Sequence, residues 1–231
     1  MIAVFAAMES ELKSLIREAS ISTQEKWKDV KIYRGGFEGS DVLLAVTGVG
    51  KVLTAAAVQK LLSENDCTCC LFIGIAGALN PVYSIGDLII AQDLAQWDLD
   101  ATPFSFQRGQ IPYTKHRIIA TDPDLRKIAL SHTPSEASVH VGRLLSGDTF
   151  LTRVEKQQRE YLRTDLRGDA ADMEAASAAF VSRLLDVPFL AYKIISDQID
   201  GGVPKNFSRF IRNASNRLLE FSRHIIGTLS G

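Results

Sequence analysis

Short apolar runs alternate with segments of helical periodicity along this chain. The runs predict buried strands at IAVFAAM, CLFIGIAGAL, GDLIIAQDL, HVGRLLSG and VPFLAYKIISD. A further stretch, KIYRGGFEGSDVLLAVTG, predicts a hairpin that turns near Gly39 and Ser40. Apolar residues at helical spacing predict helices at KVLTAAAVQKLLSE, at EAASAAFVSRLLD and over roughly residues 207–229. This alternation is typical of an α/β protein with a mainly parallel or mixed sheet and helices on both faces.

The chain predicts a single domain over residues 1–231. Its 231 residues, 46% of them hydrophobic, suffice for one substantial core. No internal repeat, low-complexity tract or long linker divides the sequence. The longest polar and aromatic stretch, Gln96–Tyr113, predicts a functional loop or a contact between subunits.

Charge and hydropathy argue against nucleic-acid and membrane partners. The formal net charge is −1, so there is no excess of basic residues to hold a phosphate backbone. The opening MIAVFAAMES lacks a positively charged segment and is too short to span a membrane. We interpret it as the first buried strand of a soluble, cytoplasmic protein. The closely spaced Cys67, Cys69 and Cys70 fit buried thiols in a reducing compartment better than a metal site, because no histidine lies nearby.

Chemically active residues follow the predicted strands. Ligands of open α/β sheets bind outside the carboxyl ends of the strands. Here those ends carry carboxylates, glycine turns and apolar groups, at Met8–Glu11, Thr47–Gly50, Gly74–Gly77, Ser146–Asp148, Asp172–Glu174 and Ser196–Asp197. The set predicts a pocket for a small polar ligand with an apolar part. Asp172 and Glu174 open a helix of small residues, where either helix capping or ligand binding would explain them.

Three other candidate motifs are weaker. TGVGKV lacks the full phosphate-loop spacing, and Val52 follows the lysine where a hydroxyl is needed, so a tight strand-to-helix turn is the better interpretation. Asp98 and Asp100 have no companion metal ligands at a recognisable spacing and predict a solvated loop. The four histidines fall outside the strand ends, which argues against a histidine-based mechanism.

Six of these segments together resemble one enzyme family. AAMESEL, TGVGKV, GIAGAL, SGDTF, DMEAAS and IISD are similar, in order and spacing, to motifs of the methylthioadenosine/S-adenosylhomocysteine nucleosidases of the nucleoside phosphorylase superfamily. The resemblance covers nearly the whole chain. It implies a three-layer α/β/α fold around a twisted mixed sheet, usually as a homodimer. The implied activity is hydrolysis of the N-glycosidic bond of adenine nucleosides with a 5′-substituent, without metal or organic cofactor.

The resemblance also implies a role for individual residues. Glu11 would activate water, Asp197 would protonate or hydrogen-bond purine N7, and Glu174 would hold the ribose hydroxyls, with Met173 beside the sugar. Phe150 would stack on adenine, while the backbone of Leu151 reads its edge. The apolar 5′ pocket would consist of Met8, Val49, Phe104, Phe106, Pro112 and Phe207, with the stretch Phe104–Pro112 contributed by the partner subunit. Asp172 is expected to act as a helix cap or to support these groups.

Two positions depart from the family pattern, and several functions stay open. Many relatives have serine where Ile75 stands and arginine where Lys193 stands, both near the expected water site.

Three alternative functions stay open. A phosphorylase is disfavoured because Glu9 and Glu11 at the end of the first strand would repel phosphate. A nucleosidase for aminodeoxyfutalosine would use the same three carboxylates. A non-catalytic nucleoside-binding protein could keep the same pocket.

Overall fold

A computed structural model of the protein describes residues 1–132 and 138–231. The strands are β1 (Ile2–Ala6), β2 (Ser20–Trp27), β3 (Val30–Phe37), β4 (Ser40–Val46), β5 (Cys69–Ala78), β6 (Leu88–Gln96), β7 (Ile118–Ala120), β8 (Val139–Ser146), β9 (Ala170–Asp172) and β10 (Phe189–Asp197). The α-helices are α1 (Glu9–Glu18), α2 (Lys51–Ser63), α3 (Pro123–Leu130), α4 (Arg153–Gln158), α5 (Tyr161–Thr164), α6 (Ala175–Leu184) and α7 (Phe207–Ser230). One short 3-10 helix spans Thr102–Phe104.

The sheet lies between two layers of helices, as predicted. Side chains of a strand alternate between its faces. In β1, Ala3 and Phe5 pack in the cluster that contains the buried side of α2 and α6. Val4 lies in the second cluster, with Leu12 of α1 and Leu218 of α7. The predicted α/β/α fold with a mixed central sheet is therefore confirmed.

The sheet is mixed and closes on itself at one end. From its open edge the strand order is β2-β3-β4-β1-β5. Beyond β5 the strands β10, β6, β8 and β9 follow, and β9 pairs with β5 again. The parallel strands β1, β4, β5 and β10 place their carboxyl ends along one edge. The loops and helix starts that follow these ends are therefore close together in space.

The last helix, α7, is amphipathic, and its apolar face covers one side of the sheet. Ala214, Leu218 and Ile225 are buried, as the periodicity predicts. Phe210 packs at the margin of the same cluster, whereas Leu229 in the final turn is exposed. The helix starts at Phe207 because the side chain of Asn206 accepts a hydrogen bond from the N–H of Arg209 at 2.9 Å.

The hydrophobic pattern missed the elements with few apolar residues. The predicted hairpin is β3–β4, joined at Glu38–Gly39, but β3 also pairs with the unpredicted edge strand β2. Most of β2 is exposed and polar, so its sequence carries no apolar run. The strands β7 and β9, of three residues each, and the eight-residue helix α3 were missed because they are too short to show a clear periodicity. None of the helices in the described part of the chain is both long and apolar enough to cross a membrane.

Candidate active site

Glu11 is held at the inner end of a cavity by backbone donors. It lies in the first turn of α1, where one carboxylate oxygen accepts the N–H of Met8 at 2.8 Å. The other oxygen accepts the N–H of Ile75, from β5, at 2.9 Å. A Cβ atom on Gly74 would lie 2.9 Å from the Glu11 carboxyl carbon, so this close approach requires glycine. Burial raises the pKa of Glu11, and the charge of Lys193 and the two N–H donors oppose the rise.

Lys193 is the buried cation beside Glu11. Its side chain extends from β10, is fully buried, and pairs with Asp172 at 3.0 Å. Burial lowers the pKa of this lysine, but the charges of Asp172, Glu11 and Glu174 outweigh burial and hold the pKa above its usual value. One ammonium group therefore faces three carboxyl groups at the inner end of the cavity.

Asp172 caps α6, and this leaves Glu174 available to the cavity. Asp172 accepts hydrogen bonds from the N–H groups of Glu174 and Ala175, each at 3.2 Å, and from the Ser146 hydroxyl at 2.5 Å. The Glu174 side chain makes no capping bond and accepts the N–H of Gly50 at 2.9 Å. Burial and the charge of Asp172 raise the pKa of Glu174 to about 7. The two acids at this helix start thus have separate roles.

Asp197 lines the same cavity from the end of β10. Its Oδ1 accepts the Ser196 hydroxyl at 2.8 Å, and its Oδ2 pairs with the ammonium group of Lys156. Lys156 is buried although it belongs to the short polar helix α4. Lys156 was not identified from the sequence, because a single lysine in a polar helix has no distinguishing pattern.

One cavity of about 470 Å³ joins these groups. Its wall includes nine residues predicted for the site, namely Met8, Glu11, Val49, Phe150, Leu151, Met173, Glu174, Asp197 and Phe207. It also includes Lys156, Val203 and Pro204, which were not predicted. Three predicted residues, Phe104, Phe106 and Pro112, do not line the cavity within this chain.

Two expectations about acidic residues were wrong. Glu9 does not reach the cavity, because its carboxylate is exposed and binds Lys31 at 2.5 Å and Tyr33 at 3.3 Å. Asp98 is not a solvated loop residue: it accepts the Lys51 ammonium at 2.6 Å and the N–H of Asp148 at 2.9 Å. Lys51, the lysine of TGVGKV, is thus held by a carboxylate, and no metal-binding group of acids, cysteines and histidines occurs among the described residues.

The glycine turn before α2 was interpreted correctly. Gly48 and Gly50 have φ values of 86° and 99°, in the region that favours glycine. Gly50 aims its N–H at Glu174. The turn therefore contributes a backbone donor to the site.

The family model described as the phosphorylase superfamily matches residues 1–227. The chain belongs to the phosphorylase superfamily. Within it, the chain is similar to the 5′-methylthioadenosine/S-adenosylhomocysteine nucleosidase of Staphylococcus aureus (strain JH9), with 28% identity over 93% of this chain and 94% of that protein.

Two solved structures of this superfamily resemble the fold closely. The nucleosidase of the same name from Campylobacter jejuni has a TM-score of 0.91 and 28% identity, covering 98% of both chains. The one from Neisseria meningitidis, in complex with methylthio-immucillin-A, has a TM-score of 0.88 and 27% identity over 98% of both chains. These similarities cover all the elements that form the cavity.

The raised pKa of Glu174 predicts a pH-dependent contribution to stability. In the folded protein the carboxyl group keeps its proton up to about pH 7, compared with an ordinary pKa of 4.5. The free energy of unfolding should therefore fall as the pH rises from about 4.5 to about 7, by up to roughly 3 kcal/mol. Urea unfolding at several pH values should show that Glu174→Gln removes this part of the fall.

Glu9→Gln is the matched control for this measurement. Glu9 is exposed, and the hydrogen bond from Lys31 lowers its pKa, so its replacement should leave the fall in place. If wild type and Glu174→Gln showed the same pH dependence, the assigned pKa of Glu174 would be wrong.

Proposed function

We propose that this chain hydrolyses the N-glycosidic bond of adenine nucleosides that carry a 5′-substituent, and that residues 1–231 act as one domain. 5′-Methylthioadenosine, S-adenosylhomocysteine and 5′-deoxyadenosine are the expected substrates. The observation that carries the proposal is that Glu11, Glu174 and Asp197 all line one cavity. The similarity to nucleosidases over nearly the whole chain supports the same activity.

The chemistry of the bond explains the need for several carboxylates. Cleavage passes through an oxocarbenium-like state, so water must be activated on one side of the sugar while the base departs on the other. Glu11 would take the proton of the water. Asp197 would protonate or hydrogen-bond purine N7 of the departing base. The negative charges at the inner wall would also stabilise the positive charge that develops on the ribose.

The remaining wall residues fit the parts of a nucleoside. Glu174 would accept hydrogen bonds from the ribose hydroxyls, and Met173 would contact the sugar. Phe150 would stack on adenine beside the backbone of Leu151. Met8, Val49 and Phe207 would surround the apolar 5′-substituent. Ile75 offers its backbone N–H to Glu11 but no side-chain hydrogen bond, so water placement would depend on Glu11.

Water fits the inner wall better than phosphate. Glu9 points away, so the repulsion of phosphate comes from Glu11 and Asp172, because Glu174 keeps its proton up to about pH 7. Lys193 is the cation of this cluster, and its ammonium group already pairs with Asp172. A phosphate dianion would add negative charge where acids outnumber the cation, which disfavours phosphorolysis.

Release of adenine tests the proposal directly. We expect the purified protein to release adenine and free sugar from 5′-methylthioadenosine, unchanged by exhaustive chelation or by added phosphate. A sugar 1-phosphate product, or loss of activity on chelation, would contradict a hydrolase without metal. Aminodeoxyfutalosine belongs in the same assay as the alternative substrate, and binding without turnover of any nucleoside would indicate a binding protein. A cytoplasmic location stays a prediction.

We also propose that the active form is a homodimer. In the stretch Phe104–Pro112 and the adjoining Tyr113, aromatic side chains face outward: Phe104 is 78% exposed and Tyr113 is 94% exposed. The mouth of the cavity is also apolar and open, since Val49 and Phe207 are both about half exposed. Exposed apolar patches of this kind mark contact surfaces. The stretch Phe104–Pro112 of one subunit would then complete the 5′ pocket of its partner.

Sedimentation velocity at micromolar concentration should show a dimer. Phe104→Glu should shift the protein towards monomer and raise KM, because a charge would replace an apolar contact. Leu130→Glu, at an exposed position on α3, is the control and should leave the dimer intact. A fully active monomeric wild type would refute the proposal.

A further inference from the structure

Lys51 and Asp98 belong to two sequence motifs, TGVGKV and WDLD, and meet outside the cavity wall. The Lys51 ammonium group donates to Asp98 Oδ1 at 2.6 Å and to the side-chain oxygen of Gln96 at 3.0 Å. Asp98 Oδ2 accepts the N–H of Asp148 at 2.9 Å. The side chains of Lys51 and Asp98 are mostly buried. This contact therefore joins the start of α2 to the segments that follow β6 and β8.

Asp148 closes the contact into a ring of three residues. Its Oδ1 accepts the backbone N–H of Lys51 at 2.8 Å. This N–H belongs to the first turn of α2, where the N-cap residue Gly50 has no side chain that could accept it. Asp148 thus supplies the missing cap, while Asp98 holds both the side chain of Lys51 and the backbone of Asp148. The ring fixes the start of α2 in place.

The ring lies one residue away from a contact to the cavity. Gly50 donates its N–H to Glu174 Oε1 at 2.9 Å. A Cβ atom on Gly50 would lie 3.2 Å from Asp148 Oδ1, so the turn packs directly against the ring. The successive N–H groups of Gly50 and Lys51 therefore point at two carboxyl groups from separate parts of the chain. Because the two peptide units are adjacent, the direction of the first N–H depends on how firmly the second is held.

We propose that Asp98 is a positioning residue for the ribose site, which acts through Lys51 and Asp148 to hold the N–H of Gly50 on Glu174. This inference rests on the proposed function and deepens it, because Glu174 is the residue assigned to the ribose hydroxyls. A carboxyl group that is already held in place loses less freedom when it binds a ligand. Without the ring, the ligand itself would have to order Glu174.

The hydrogen bond from Gly50 affects the titration of Glu174. Burial and the charges of Asp172 and Glu11 raise the pKa of Glu174, whereas the charge of Lys193 and the N–H of Gly50 lower it. If the N–H of Gly50 moves away, one of the two opposing contributions is lost. The pKa of Glu174 should then rise further.

This titration tests the geometry without any substrate. Asp98→Asn replaces one accepting oxygen by an amide that donates, so it breaks the ring and should make Glu174 titrate at higher pH than in wild type. Removal of a nearby negative charge would by itself move the pKa of Glu174 in the opposite direction. NMR of isotopically labelled glutamate carboxyl groups measures the titration, and Glu174→Gln identifies the signal.

Steady-state kinetics with 5′-methylthioadenosine tests the effect on the ribose site. Asp98→Asn should raise KM roughly 10-fold and change kcat by less than about 3-fold, because it weakens a contact that exists before and during the reaction. In the background of Glu174→Gln, the same substitution should raise KM by less than about 2-fold, since two changes on one path do not add.

Two further variants complete the test. Glu64→Gln is the matched control: it also removes a carboxylate that pairs with a lysine of α2, Lys60 at 2.5 Å, but on the surface, and it should behave as wild type. Lys51→Met breaks the ring from its other side and should raise KM by a similar factor, so it replaces Asp98→Asn in the kinetic comparison if that variant does not fold. Thermal unfolding shows whether each fold is kept.

Failure of this inference is distinguishable from failure of the proposed function. If wild type releases no adenine from any nucleoside, the proposed function fails, while the titration of Glu174 still tests the ring. A pKa of Glu174 in Asp98→Asn that equals or lies below the wild-type value would overturn the positioning role. So would an increase in KM of the same size in the background of Glu174→Gln, which would mean that Asp98 acts through the neighbouring stretch Phe104–Pro112 instead.

Discussion

The balance of charge around Lys193 is the constraint on which the site depends. Three carboxyl groups, from Glu11, Asp172 and Glu174, share the inner end of the cavity with this one ammonium group. Buried charges are costly unless they are paired and hydrogen-bonded. Backbone N–H groups from three separate segments stabilise these carboxylates by hydrogen bonding. The raised pKa of Glu174 keeps that group protonated up to about pH 7 and so reduces the number of buried negative charges.

Strand β5 connects the two chemical ends of the cavity. Gly74 packs against Glu11 and Lys193, and Gly77 packs against Asp197 and Lys156. Because a strand rises about 3.3 Å per residue, the two contacts lie about 10 Å apart along β5. A ligand between them would meet an acidic wall on one side and a lysine–aspartate pair on the other. The fold therefore fixes the spacing of the two walls through a single strand.

The parts of the fold and of the site that depend on apolar runs and strand ends could be predicted from the sequence. It predicted the layered fold, the tight strand-to-helix turn at Gly48–Gly50 and the nine cavity residues, because those follow from runs of buried side chains, from glycines or from family motifs. The strand ends alone did not separate Glu9 from Glu11, since both were taken to follow a strand, and only the family resemblance singled out Glu11. The helix α1 begins at Glu9, and two residues of a helix separated by one other differ by about 200° in direction. Lys156 and β2 were missed because their segments are polar.

Glu11 is where the account can be tested most directly, and Glu9 offers a matched control two residues away. Steady-state kinetics with 5′-methylthioadenosine should show kcat of Glu11→Gln reduced roughly 100- to 10,000-fold, with the melting temperature close to that of wild type. Glu9→Gln removes an exposed carboxylate outside the cavity and should keep kcat near the wild-type value. Near wild-type turnover by Glu11→Gln would contradict the assignment of Glu11 as the base that activates water.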